Sequence, residues 1–550
     1  MNDTRPAWLW VGLLGCLMMI YSGAMAQEAG VQERLRRQTA QMRSTNRFAI
    51  DGAPIAAIRA IPAFYEQRQF QPAWTAPINI DALLDAVRDS QAEGLDPDDF
   101  HLHALLELRQ HIVQRNAPAI ESLAAFDLLM TDALLRLGYQ LVYGKVNPEA
   151  LDPVWNFDRT LLDNDPITLI QRAIEAGTVG TLLDDITLKH PVYQTWKAAL
   201  ARYRALQQSG GWTPVAEGPV LKLDMRDPRV AMLRHRLVSG NAPPSANPEL
   251  FDAQLEAAVK SFQARHGLEA DGIVGNQTLA ALHVPVEARI NQIRVNLERA
   301  RWVLRNLDDD FIVVNIAGFR TYLVKDGEVV WSARAIVGKP YRKSPVFKAN
   351  MTYLEFNPTW TVPPGILRKD ILPKLKRDPA YLTQKQFRIV DHQGKRIDPS
   401  QIDWATVRRF PYTLVQEPGP NNALGLVKFM FPNKHYVYLH DTPSRGLFER
   451  SERTFSSGCI RVKNPFDLAE LLLQSNAGWD RERIDRTVAS GKRQTVTLSQ
   501  SIPVLLLYWT VIVDPDGTVR FLQDVYQRDG AILAALEGDF KPSPPPVKKG

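Results

Sequence analysis

The hydrophobic period of this chain changes from helical to strand-like near Arg301, and that change bounds every fold open to it. Upstream, Ile80, Leu83, Leu84 and Val87 fall at i, i+3, i+4 and i+7, one apolar helix face. Asn79 is placed to cap that helix and Gly94 to stop it. Leu128, Leu129 and Met130, then Leu134, Leu135 and Leu137, continue the pattern, so residues 55–215 read as a helical unit. A glycine- and serine-containing loop at 207–214 marks its end. Downstream, runs at 311–316, 320–324 and 329–334 alternate like short strands, with turns at Gly318 and Asp326-Gly327. They predict a mainly β unit over 291–540. Lysine-, arginine- and proline-rich sequence at about 363–426 interrupts it and reads as a lid insertion. The expected class is multidomain α+β.

Between the two lies a smaller unit at 216–290. Leu255, Ala258, Val259 and Phe262 mark one helix, Gly267 closes it, Asp271-Gly272 makes a tight turn, and Thr278 opens another helical stretch. A small three-helix bundle is expected. Residues 27–54, polar and with a basic patch at Arg34, Arg36 and Arg37, read as a flexible lead-in, and the proline- and lysine-rich tail 541–550 as disordered.

The first 26 residues look like a leader. Arg5 precedes an apolar stretch from Ala7 to Ile20, and Ala24-x-Ala26 supplies the small residues of a signal-peptidase site. The stretch is short for a membrane span; left uncleaved, it would tether the protein to the inner membrane. Leu13-Leu14-Gly15-Cys16 faintly resembles a lipoprotein cleavage site, but apolar sequence continues past it. The reading is an exported protein, periplasmic, with Cys459 as its one remaining thiol. A formal charge of +6 arises from 66 basic and 60 acidic residues, a nearly balanced surface. With no basic cluster interleaved with aromatics, nucleic acid is not an expected partner.

A lone thiol has no disulfide partner within the chain, so it is either a small buried hydrophobe or a nucleophile. Cys459 lies in Phe455-Ser456-Ser457-Gly458-Cys459-Ile460-Arg461-Val462, 19 residues after His440. Residues 434–440 read as a strand with Tyr436, Tyr438 and His440 on one side, which makes His440 the catalytic candidate and His435 a structural or surface one. A free thiol is only a few per cent thiolate at neutral pH, and a histidine within reach can take its proton. Amides at Gly458 and Cys459 can form an oxyanion hole, a contribution of ~3–4 kcal/mol per donor in a serine protease. For orienting the imidazole, a backbone carbonyl near Asp441 suits better than the Asp441 side chain, which should point away. Zinc is poorly supported, since Cys459 has no CxxC partner and His101-x-His103 does not share a helix face. No metal or other cofactor is expected.

Two motifs carry a resemblance. The pattern FQxxxGLxxDGxVGxxT, from Phe262 to Thr278, looks like a peptidoglycan-binding domain over about 227–286. His440 followed by Ser456-Ser457-Gly458-Cys459-Ile460-Arg461 resembles the YkuD-type L,D-transpeptidases. Asn357-Pro358-Thr359-Trp360-Thr361-Val362-Pro363, with Phe64-Tyr65, Pro72-Ala73-Trp74 and 144–148 in the helical unit, is similar to their large periplasmic YcbB-like group, which has a helical scaffold domain. Ser457 departs from the histidine many members have there.

The resemblance implies a sandwich-like catalytic domain with Cys459 as the acylated nucleophile and His440 as its base. Gly458 and Cys459 would supply the oxyanion hole, and Tyr438, Trp360, Arg461 and Ser457 would line the substrate cleft. It implies peptidoglycan tetrapeptide stems as donor and acceptor, joined 3→3 through a thioester, with wall synthases as further partners and carbapenems adding at Cys459. Water or a lipoprotein lysine as acceptor would give an L,D-carboxypeptidase or a lipoprotein-to-wall ligase instead. A non-catalytic wall-binding protein would need neither Cys459 nor His440.

Overall fold

A computed structural model describes residues 8–542 except 46, 116, 160–164, 238–246, 405, 408 and 409, with side chains described from residue 25. Among the described residues, no helix is long and apolar enough to cross a membrane.

The N-terminal unit is helical and packs around Leu83, Leu84, Val87, Leu128, Leu129 and Leu134, as the periodicity predicts. Asn79 is a correction. Helix Pro77–Asp89 starts two residues earlier with proline in its first turn, and Asn79 is buried inside it, donating Nδ2 to the Ile174 carbonyl (2.8 Å). The flexible lead-in is another. Helix Trp8–Ser44 runs through residues 27–44 and buries Val31, Leu35 and Met42 in the same core. The polar character of the segment hid a helical spacing. Asp127 explains two of the sequence motifs: its carboxylate accepts from Tyr65 Oη (2.5 Å) and from the Ala73 and Trp74 amides (2.9 and 3.0 Å).

The small unit has helices Pro228–Leu237, Ala253–Arg265 and Asn276–His283. Its motif is held by one side chain. Gln263, 1% exposed, donates Nε2 to Asp271 Oδ1, the Ile273 carbonyl and Thr278 Oγ1, and its Oε1 accepts from the Gly272 amide (2.8 Å).

Helix Val286–Val303 then links the units. Its Glu298 accepts from the Val146 amide (2.6 Å) and pairs with Arg301. A Cβ at Gly144 would lie 2.4 Å from Glu298 Oε1, so the 144–148 motif docks only with glycine there.

The C-terminal unit is built on nine strands: β1 Phe311–Asn315, β2 Arg320–Lys325, β3 Glu328–Gly338, β4 Phe347–Phe356, β5 Val427–Met430, β6 Leu439–His440, β7 Thr454–Ser456, β8 Ile460–Val462 and β9 Gln494–Leu507. Their order is β7-β3-β8-β6-β5-β4-β9-β1-β2, and β2 also pairs with β3. The sheet therefore closes on itself around one apolar core that includes Leu354, Phe356, Phe429, Leu439, Ile460 and Val462. Between Phe356 and Val427 the insertion is a folded unit. A four-stranded sheet and short helices enclose their own core of Val362, Leu375, Ile389, Trp404 and Leu414.

Candidate active site

Side-chain alternation creates the site. Leu354, Phe429, Leu439 and Ile460 point into the core, so Glu355, Lys428, His440 and Arg461 emerge on the opposite face of β4, β5, β6 and β8. Registers Glu355↔Lys428, Lys428↔His440 and His440↔Arg461 set these four in one row. Of them, His440 and Arg461 line a cleft of about 790 Å³ beneath the insertion.

The run before His440 is not the strand its alternation predicts; only Leu439–His440 is. Asn433 makes a turn instead, its Oδ1 accepting from the His435 and Val437 amides and its Nδ2 donating to the Phe431 and Val437 carbonyls. Tyr436 is left-handed (φ 55°) and 85% exposed. Its carbonyl, not its ring, meets the site: it is the acceptor 3.8 Å from Cys459 Sγ. His435 packs against Phe347, ring centroids 4.9 Å apart, and also lines the cleft that holds Cys459.

Cys459 is half-buried in the bend between β7 and β8. Ser456 shapes that bend: its Oγ accepts from the Gly458 amide (3.1 Å) and donates to the Cys459 carbonyl (2.6 Å). Gly458 has φ 122°, where L side chains are strained, although a Cβ would find room. The Gly458 amide is thus already engaged. The Cys459 amide has no partner among the described residues.

His440 is buried, with Nδ1 2.5 Å from the Asp441 carbonyl oxygen. Burial, with Arg461 and Lys428 adding like charge, pushes its pKa down to about 3, so the ring is neutral. Burial raises the Cys459 thiol, while hydrogen bonds from Tyr438 and the charges of Lys428 and Arg461 pull it back. No hydrogen bond joins the thiol to His440. Tyr438 neighbours both: its phenol and the Cys459 thiol each influence the other's ionisation, and its ring meets the imidazole edge-on at 5.7 Å. Resting-state proton transfer from this thiol to this imidazole is therefore uphill.

The cleft brings together all of the anticipated residues: Cys459, His440, Gly458, Tyr438, Trp360, Arg461 and Ser457. Ser457 accepts from Arg342 (2.9 Å), whose guanidinium also pairs with Asp370 on the insertion. Lys339, Arg342, Arg368, Lys369, Lys374 and Lys385 surround the mouth, while Asp370 is the lining carboxylate among the described residues. Sequence reasoning missed Lys428, Arg342 and Asp370. The one signal was a lysine in an otherwise apolar strand, Val427-Lys428-Phe429-Met430. Among the described residues, no three His, Cys, Asp or Glu side chains gather to hold a metal ion.

Comparison with known proteins defines the class. Residues 309–496 match the YkuD model, "L,D-transpeptidase catalytic domain", residues 226–282 the "Putative peptidoglycan binding domain", and residues 59–200 the "Scaffold domain". The chain therefore carries a YkuD-family L,D-transpeptidase catalytic domain together with a peptidoglycan-binding domain and a scaffold domain. A curated relative from Haemophilus influenzae, named "Putative L,D-transpeptidase", is 38% identical over 260 residues, covering 46% of this chain and 52% of its own. The chain thus spans about half the length of that relative. An L,D-transpeptidase structure from Mycobacterium smegmatis is 14% identical over 36% of this chain and 58% of that one, with a TM-score of 0.18. One from Xylanimonas cellulosilytica is 14% identical over 53% and 99%, also at 0.18.

Proposed function

We propose that this protein cross-links peptidoglycan 3→3 through a thioester on Cys459. Cys459 Sγ attacks the carbonyl carbon of the third residue of a tetrapeptide stem. The thiol proton passes by way of His440 to the departing amine, the C–N bond to the terminal D-alanine breaks, and the thioester remains. The side-chain amine of a second stem's third residue then attacks that carbonyl, and the thiol is restored. During each attack the unpartnered Cys459 amide receives the oxyanion, and Tyr438, Trp360, Arg461 and Ser457 position the stem.

One observation carries this reading: a half-buried thiol with a free amide opens, beside a neutral histidine, into a cleft with a cationic mouth. Stem peptides bear free carboxylates, which such a mouth attracts. Because peptidoglycan lies outside the cytoplasmic membrane, the reading places the protein in the periplasm.

The test is incubation with purified disaccharide-tetrapeptide and mass analysis of the products. Dimers joined between two third residues, with one D-alanine released per dimer, are the expected outcome. Tripeptide monomers alone would make the protein a carboxypeptidase, and unchanged substrate would refute catalysis.

A further inference from the structure

The row Glu355, Lys428, His440, Arg461 holds a cation that the reaction scheme has not used. Glu355 is already committed, accepting from Arg493 Nε (2.8 Å) and Nη2 (3.2 Å). Lys428 is half-buried, and no hydrogen bond or ion pair is formed by its ammonium among the described residues. Its Nζ lies 4.3 Å from the centroid of the ring of Tyr438, a lining residue of the cleft beside Cys459. Burial works against the charged ammonium, and Glu355, shared with Arg493, is the carboxylate that attracts it from across the sheet. The attraction of the ring face offsets only about 1–2 kcal/mol of the cost of burial.

What the position offers is an anion that forms during catalysis. Lys428 and Arg461 flank His440 on its two neighbouring strands, so an imidazolium there faces two like charges. A sulfur anion at Cys459 faces the same two cations with the opposite sign. The other titratable and charged groups of the cleft are Tyr436, Tyr438, His435 and His440 on the neighbouring segment, Lys339 and Arg342 beside it, and Arg368, Lys369, Asp370, Lys374, Tyr381 and Lys385 on the insertion. Glu355 on β4 is the group facing Lys428 from the far side.

We propose that Lys428 is a positioning residue that, together with Arg461, stabilises the Cys459 thiolate, so the charge on sulfur is met by two fixed cations. The proposal rests on Cys459 being the nucleophile. Burial holds the histidine near 3, and the two cations oppose the effect of burial on the thiol, both in the direction this requires.

The test is the pH dependence of iodoacetamide alkylation of the full chain, read on the Cys459 peptide by mass so that Cys16 does not interfere. Lys428→Met should move the titration midpoint up by about one pH unit. At pH 7 the rate should fall about three- to fourfold, since a more basic thiolate is also more nucleophilic. Lys428→Arg should keep the wild-type profile. Lys428→Gln should shift it as methionine does, and it carries the test should the methionine variant not fold. A methionine or glutamine profile that overlays the wild type overturns the proposal, as does an arginine profile shifted equally. Alkylation needs no peptidoglycan, so these outcomes stand whatever the acceptor. A Cys459 that alkylates at no pH would instead overturn the nucleophile reading itself.

Discussion

Ser456 clamps Gly458: its hydroxyl accepts a hydrogen bond from the Gly458 amide at 3.1 Å and donates one to the Cys459 carbonyl at 2.6 Å. The clamp fixes the direction of the free Cys459 amide. Gly458→Ala should therefore reduce turnover at least tenfold while costing only about 1–3 kcal/mol of stability, since its penalty is a strained φ and not a clash. Ser456→Ala should show the same split in milder form. Turnover assays beside thermal unfolding check both; equal losses in activity and stability would count against the oxyanion role.

The buried histidine predicts how stability varies with pH. The His440 ring titrates at about 3 in the folded protein and near 6.5 unfolded. Between those values the unfolded chain binds the extra proton, so this residue costs stability as pH falls from about 6.5 toward 3. His440→Asn removes that cost. Its deficit relative to wild type should shrink by up to about 1.4 kcal/mol per pH unit between pH 6 and 4. Denaturant unfolding of both proteins at four pH values measures it; a constant gap would contradict the burial argument.

In the peptidoglycan-binding unit, Gln263 serves four partners from a site closed to water. Gln263→Ala strips the Gly272 amide of its acceptor and should cost that unit about 2–3 kcal/mol. Proteolysis should then cut within 226–282 first, with Cys459 alkylation unchanged. Uniform sensitivity along the chain would show that the network is not local.

Much of the site could be read from the chain because its residues are close in sequence. Cys459, Gly458 and Ser457 form one bend, and His440 ends the strand paired beside it. The Asp441 carbonyl was readable for the same reason. Lys428 and Arg342 were not, because their relation to Cys459 depends on strand order and on an ion pair to an insertion, neither of which leaves a local pattern. The extended reading of 434–438 failed where the Asn433 side chain overrode alternation with a turn. Residues 27–44 were misjudged because charge outweighed the spacing of Val31, Leu35 and Met42, which a helix brings to one buried face.

The proposed mechanism requires that the sulfur of Cys459 become covalently bonded to a stem-peptide carbonyl. Intact-protein mass spectrometry after brief exposure to disaccharide-tetrapeptide tests it most directly. The wild-type chain should gain the mass of the donor less D-alanine, localised to the peptide containing Cys459, and Cys459→Ala should gain nothing and make no dimers. Cross-linked product from the alanine variant, or turnover by a wild-type enzyme whose adduct maps elsewhere, would contradict the account.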